Sequence, residues 1–235
     1  MVIGILQPGY LPWLGFFEQM QKSDVFVIYD DVQYDKHSWR NRNRIKTPQG
    51  PLWLTVPVKV PFADRPLTVD IRIDNTTNWK KKHLLSIKHN YGKAAHFSRY
   101  FPLFEEAYGR DWDYLVDLDL FFIEGLRRHL GIPERPVVRS SSLQVTGGRI
   151  ERLIKLCHHF GADTFYEGAS GKNYIEEQEF RDHGITIAYQ EYRHPVYRQL
   201  HGDFIPYLSA IDLLFNEGPD SPAILMNTTT EVTTS

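Results

Sequence analysis

Two consecutive carboxylates, Asp30 and Asp31, follow the apolar run Val25-Phe26-Val27-Ile28-Tyr29. Acids at the carboxyl end of a parallel strand face the ligand crevice of an open sheet, where they can orient or deprotonate a nucleophile; otherwise they simply end the strand. Gln33 follows on the same stretch. The turn Gln7-Pro8-Gly9-Tyr10 closes an earlier apolar run and offers Gln7 and Tyr10 as ligand contacts, or as caps of the next helix. Residues 36–46 carry five positive charges and no acid. Arg40, Arg42 and Arg44 share a parity, so in an extended segment they form one row able to grip phosphate oxygens; the alternative is a solvated basic edge strand that resists aggregation.

The turn Glu167-Gly168-Ala169-Ser170-Gly171-Lys172-Asn173-Tyr174 combines small residues, which permit close backbone approach, with Ser170, Gly171 and Lys172 as an anion-binding group. Its spacing is not that of a P-loop, and a plain tight turn is the competing reading. His194 precedes a proline, and Asp212 and Asn216 lie four residues apart on a final helix. A histidine near a carboxylate can act as a general base; the alternatives are a turn histidine and a buried helix-packing aspartate. No Cys/His spacing spells a zinc site, so no metal ligand set is expected. The cofactor stays open, with magnesium the ion that paired aspartates beside phosphates could hold.

The chain has 235 residues, 27 Lys+Arg against 29 Asp+Glu and 42% hydrophobic residues, which is ordinary for a globular protein. Its one cysteine, Cys157, forms no internal disulfide. The opening residues lack the basic and long apolar regions of a signal peptide, and no apolar stretch is long enough to span a membrane, so a cytoplasmic location is expected. The net charge of −2 conceals a separation. Residues 76–104 hold six Lys/Arg and three His, His83 among them, with no acid, whereas residues 105–124 hold seven acids. The two basic stretches could form one face that attracts a phosphorylated small molecule, and stable nucleic-acid binding is not expected.

These groups need a scaffold. Residues 2–6 read as a buried strand, 10–21 as a helix with Pro12 in its first turn, and 25–29 as a second strand, the βαβ signature of a parallel sheet. Residues 33–73 switch to alternation broken by prolines and read as an inserted antiparallel element. Helices are expected over 76–108, broken near 91–92, and over 111–130; then strand 136–138, helix 147–160, strand 164–166, helix 174–183, strand 185–189 and helix 204–215. The whole reads as one α/β domain, 1–226, with a Rossmann-like parallel sheet, a weak boundary near 131–136 as the alternative, and a disordered tail, 227–235.

The runs Leu6-Gln7-Pro8-Gly9-Tyr10-Leu11-Pro12-Trp13-Leu14-Gly15-Phe16-Phe17, Val27-Ile28-Tyr29-Asp30-Asp31-Val32-Gln33-Tyr34 and Trp39-Arg40-Asn41-Arg42-Asn43-Arg44-Ile45 closely resemble the WbqC-like family. So do Trp79-Lys80-Lys81-Lys82-His83-Leu84, Asn90-Tyr91, Arg139-Ser140-Ser141 and residues 204–214. The resemblance implies a bacterial protein of O-antigen and other surface-polysaccharide biosynthesis. A more distant similarity is to the nucleotidyltransferase and pantothenate-synthetase group; there the His-x-Gly-His motif would fall on Trp13-Leu14-Gly15-Phe16, keeping only Gly15. Together these imply a transferase that modifies a nucleotide-linked amino sugar with a small acyl or aminoacyl group. Nucleotidyl transfer and a non-catalytic nucleotide-sugar binding or scaffold role are the alternatives.

Overall fold

The computed structural model describes residues 1–36, 38–60 and 65–227, so the expected disordered tail lies outside the described residues except for Asn227. In chain order the elements are β1 (Val2–Leu6), α1 (Leu14–Lys22), β2 (Val25–Ile28), β3 (Arg42–Thr47), β4 (Gly50–Thr55), β5 (Val58–Lys59), β6 (Arg72–Ile73), α2 (Trp79–Tyr91), α3 (Phe97–Gly109) and α4 (Leu115–His129). There follow β7 (Val137–Arg139), α5 (Arg149–Phe160), β8 (Thr164–Glu167), α6 (Glu177–Asp182), β9 (Thr186–Tyr189), α7 (Ile211–Glu217) and α8 (Ser221–Leu225).

Five strands form one parallel sheet in the order β7-β2-β1-β8-β9, the Rossmann-like arrangement expected from the alternating pattern. The chain winds outward from β1 through β2 to β7, then returns to place β8 on the other side of β1. The winding therefore reverses between β1 and β8, and a crevice opens there beyond the strand ends. Both sheet faces are covered, which is why β2 reads as a continuous apolar run. Phe26 and Ile28 join the core built with α1 to α4, α7 and α8, while Ile3, Ile5, Val25 and Val27 face α5 and α6. Among the described residues the inserted element is two short antiparallel pairs, β3 with β4 and β5 with β6.

Every expected helix start is late by two or more residues, α4 for instance beginning at Leu115 rather than 111, and for three of them the local backbone gives the reason. Leu11 has φ +46°, so α1 begins at Leu14 and not at residue 10. Tyr207 has φ +58°, so residues 204–210 stay irregular and α7 begins at Ile211. The small-residue segment Ala169–Asn173 coils as a 3₁₀ turn, and α6 starts only at Glu177. Left-handed leucine and tyrosine are strained and persist only where the surroundings hold them.

Gly15 is required by packing: a Cβ there would lie 2.1 Å from the indole of Trp13, which folds back over it. Gly15→Ala must push that ring aside and should destabilise the protein by about 1–3 kcal/mol. Gly109→Ala, where a Cβ meets nothing within 4 Å, should be neutral or stabilising. Denaturant melts of both variants check this; equal losses would contradict the stated packing.

Candidate functional site

The crevice at the switch point is walled by three chain segments. After β1, the backbone of Gln7-Pro8-Gly9 turns against β3 and the residues before it. The Tyr10 amide donates to the Arg40 carbonyl at 3.0 Å, Asn43 Nδ2 donates to the Leu11 carbonyl at 2.7 Å, and the Arg40 guanidinium donates to the carbonyls of Gln7 and Pro8, both at 3.1 Å. The segment before α7 closes the third side: the Ser209 amide reaches the Arg44 carbonyl at 2.9 Å, the Ala210 amide the Pro12 carbonyl at 2.9 Å, and Arg44 Nη2 the Tyr207 carbonyl at 3.2 Å. The strained backbones of Leu11 and Tyr207 are thus both held from β3.

Between these walls lies a cavity of about 330 Å³ lined by Gln7, Gly9, Trp13, Trp39, Arg40, Asn43 and Tyr207. A second, of about 500 Å³, shares Leu6, Trp13, Phe16 and Tyr207 with it and continues past Gly168, Ala169 and Ser170 to Gln190, Glu191 and Tyr192. The two form one groove across the carboxyl ends of β1, β8 and β9. Larger hollows of about 620 and 570 Å³ lie between β4 and α2 and beside Glu18 and Tyr166. The groove is distinguished from them by its place at the strand reversal; on its lining, Gln7 Oε1 and Gln19 Oε1 are buried with no donor among the described residues, as the Tyr189 and Tyr192 hydroxyls are beside the Glu18 hollow. A buried acceptor without a donor is costly, so the two amide oxygens suit a ligand hydroxyl, amine or water. Below them Gln190 Nε2 donates to the Gly15 carbonyl at 2.8 Å and to buried Glu18 at 2.6 Å, fixing the floor.

The paired acids sit elsewhere. Asp30 is fully buried and accepts from Arg139 Nε at 2.6 Å, from the Ser141 amide and hydroxyl at 3.0 Å each, and from the Ser140 hydroxyl at 3.2 Å. Asp31 pairs with the Arg152 guanidinium and shares the single Ser140 hydroxyl proton with Asp30. Their carboxylates tie the end of β2 to the end of β7 and to α5, and neither lines the groove. The oxygens that magnesium would need are taken by arginine and serine, and among the described residues no three His, Cys, Asp or Glu are grouped to hold a metal. Gln33 is exposed and bridges to Leu67, away from the groove.

Tyr10 and His83 are interior rather than ligand-facing. The Tyr10 hydroxyl is shared with Tyr108 and with His83 Nδ1, the latter at 2.8 Å, and burial pushes the His83 imidazole down to about 4, so it stays neutral. Asp212 is likewise enclosed and accepts from Tyr91 at 2.8 Å, Tyr197 at 2.9 Å and Gln199 at 2.7 Å. Burial raises its carboxyl above the ordinary range despite those donors. His194 lies closer to the groove, its ring 5.1 Å from that of Tyr207. Its Nδ1 meets the Pro195 carbonyl at 2.8 Å. A carbonyl only accepts, so the proton is on Nδ1 and Nε2 carries the lone pair; Nε2 is buried without a partner. Burial lowers the pKa of this imidazole, which keeps it in the neutral, basic form.

Of the turn after β8, Ser170 lines the groove and Gly171 is buried where a Cβ would strike Glu167. Lys172 lies 3.9 Å from Glu191 and over the ring of Tyr189. Arg42 and Arg44 share a face of β3 as their parity requires, but Arg40 turns inward to the β1 carbonyls. Residues that spacing alone did not single out as ligand contacts are Trp13, Trp39, Asn43, Gln190 and Tyr207. Trp39 and Asn43 flank the arginines in the same short run, which is the available signal; Gln190 and Tyr207 come from loops with none.

The WbqC-like protein family matches residues 7–224. The chain is 36% identical over 225 residues to the uncharacterized protein Rv1507c of Mycobacterium tuberculosis, covering 95% of this chain and 96% of that relative. No solved structure matches the chain.

Behind Arg40 lies Asp119 of α4, fully buried, with neither carboxylate oxygen hydrogen-bonded among the described residues. Burial raises its carboxyl well above the ordinary range, and the charge on Arg40 only partly opposes this. A carboxyl whose folded pKa is raised makes the fold lose stability as pH climbs from the unfolded pKa towards the folded one, by about 1.4 kcal/mol per unit. Asp119→Asn removes that loss. Melting of both proteins from pH 5 to 8 should show the variant gaining on the wild type as pH rises; a constant deficit in the variant would mean an ionised pair with Arg40.

Proposed function

The chain belongs to the WbqC-like protein family, and on that premise we propose that it is a surface-polysaccharide biosynthesis enzyme that attaches a small acyl or aminoacyl group to a nucleotide-linked amino sugar held in the switch-point groove. The observation that carries this reading is the groove's lining: aromatic rings from Trp13, Trp39, Tyr192 and Tyr207 around the unsatisfied oxygens of Gln7 and Gln19. Sugar rings present apolar C–H faces to aromatic rings and many hydroxyl donors to amides. Glu191, among the residues lining the far cavity, adds an acid suited to an amino substituent. Arg40, bonded to the Gln7 and Pro8 carbonyls, lines the groove and Arg44 bonds its rim at Tyr207, and this positive charge supports a diphosphate as part of the ligand.

In the transfer, the sugar nitrogen attacks the carbonyl carbon of an activated acyl donor, a thioester or an ester. The new C–N bond forms as the donor's C–S or C–O bond breaks. The proton lost by nitrogen is relayed through groove water to the departing sulfur or oxygen; His194, which lines neither cavity and stacks behind Tyr207, joins the relay only when the Tyr207 ring moves aside. A nucleotidyl-transfer reading lacks its charge-stabilising groups, because the two histidine positions of that motif are Trp13 and Phe16.

A thermal-shift panel of nucleotides, nucleoside diphosphate sugars and acyl donors tests this. A nucleotide sugar at a hundredfold excess over its Kd should add about 2.7 kcal/mol, a rise of roughly 5–10 °C for a chain of this size. Gln7→Leu should diminish the shift while Arg110→Ala leaves it intact. With a responsive sugar in hand, mass spectrometry should detect the acylated product, formed more slowly by His194→Gln at unchanged sugar affinity. A panel in which no member stabilises the protein overturns the reading.

A further inference from the structure

Trp39 and Trp53 stand side by side on the outer face of the β3–β4 ribbon, with ring centroids 4.9 Å apart. They are 44% and 42% exposed, unusual for indoles that pack against each other. The Arg44 guanidinium lies 5.4 Å from the Trp39 ring and 5.7 Å from that of Trp53, and Arg42 covers Trp53 at 4.6 Å. The ribbon register explains part of the grouping, since Arg44 pairs with Trp53 and Arg42 with Thr55, placing both arginines and Trp53 on one face, against which Trp39 packs from the segment before β3.

This cluster is continuous with the groove. Trp39 lines it, and a Cβ on Gly9 would lie 3.0 Å from the Trp39 carbonyl, so a larger residue there would push the Trp39 backbone back by a few tenths of an ångström. An exposed indole backed by a second indole and a guanidinium is a preorganised stacking surface: its ring is held at little further entropic cost, and the cation beside it attracts an anion. We infer that Trp39, backed by Trp53 and Arg44, stacks the nucleobase of the nucleotide-linked substrate, with the phosphates lying between the shelf and the β1 turn. The inference rests on the nucleotide-sugar reading and adds to it where the base goes. It changes the part played by the ribbon arginines, which steady the indoles rather than act as a three-armed phosphate clamp. Base–aromatic stacking tolerates any base, so the shelf selects a nucleotide without fixing which one.

The test uses intrinsic tryptophan fluorescence and calorimetry with UMP, UDP, ribose 5-phosphate and inorganic pyrophosphate, on the wild type, Trp39→Ala, Trp39→Phe and Trp53→Ala. UMP and UDP should quench the wild-type emission, whereas the two probes without a base should not. Trp39→Ala should weaken UDP roughly tenfold or more and abolish most of the quench, Trp39→Phe should restore much of the affinity, and Trp53→Ala should have a smaller effect. Pyrophosphate affinity should stay unchanged in all three variants, which also reports that each has folded. UDP binding that is equally tight in Trp39→Ala overturns the shelf and leaves the proposed function standing. Wild-type protein that binds a sugar phosphate but no nucleotide overturns the shelf and the nucleotide-linked form of the substrate. Failure of every probe and of every nucleotide sugar overturns both.

Discussion

Everything at the candidate site depends on how the backbone that leaves β1 is satisfied. The central strand of a parallel sheet ends with peptide groups that its neighbours no longer pair, and buried peptide groups must find partners. Here the partners come from the segment that begins the inserted ribbon: the Arg40 carbonyl and guanidinium, and the Asn43 amide. That clasp has three consequences at once. It holds Leu11 in a left-handed conformation and so delays α1, it draws Trp39 against Gly9, and it brings Arg44 within reach of Tyr207. The groove is the space that remains when the ribbon is fastened to the strand end.

The same reasoning separates positioning acids from groove groups. Asp30 and Asp31 are at the right end of the right strand for catalysis, yet their lone pairs are spent on Arg139, Arg152 and two serines. A carboxylate that buries several donors rigidifies the strand ends it joins, and such a network is costly to leave partly unmade. The sheet edge beside the groove is thus fixed by charge pairs, while the groove itself is lined mostly by neutral amides and rings. Arg40 belongs to both parts, with one side on the groove and Asp119 behind it.

The parallel sheet was legible because β1 and β2 are buried on both faces and read as unbroken apolar runs, because short β-rich segments such as residues 164–166 alternate with helices, and because the alternation of the ribbon differs from them in period. The helix starts were not legible at Leu11 and Tyr207, since nothing in a leucine or a tyrosine announces a positive φ; tertiary clamps impose it. The site was legible in part. Gln7 and Ser170, read from strand-end turns, and Arg40, read from a basic segment, line the groove, whereas Tyr10, read from the same turn as Gln7, and His83 and Asp212, read as a basic-stretch histidine and a carboxylate near a histidine, are satisfied inside the core. A polar side chain beside an apolar pattern is equally compatible with facing a ligand and with bonding a neighbour 73 or 121 residues away, as Tyr10 and Asp212 do. Sequence spacing cannot tell these apart, because the partner is distant along the chain.

Charge placement closes the argument. In the helical region the positive charge is in part met by acids, as where Lys80 meets Asp111 at 2.8 Å, and otherwise lies on helix surfaces away from the groove. In the ribbon it is placed differently, with Arg42 and Arg44 lying over indole rings. A basic ribbon that served only to keep a strand edge soluble would gain nothing from two half-exposed tryptophans, which invite association rather than prevent it. Rings and guanidinium groups together, set beside a strand-end groove with unsatisfied acceptors, make sense as a surface for something both flat and anionic.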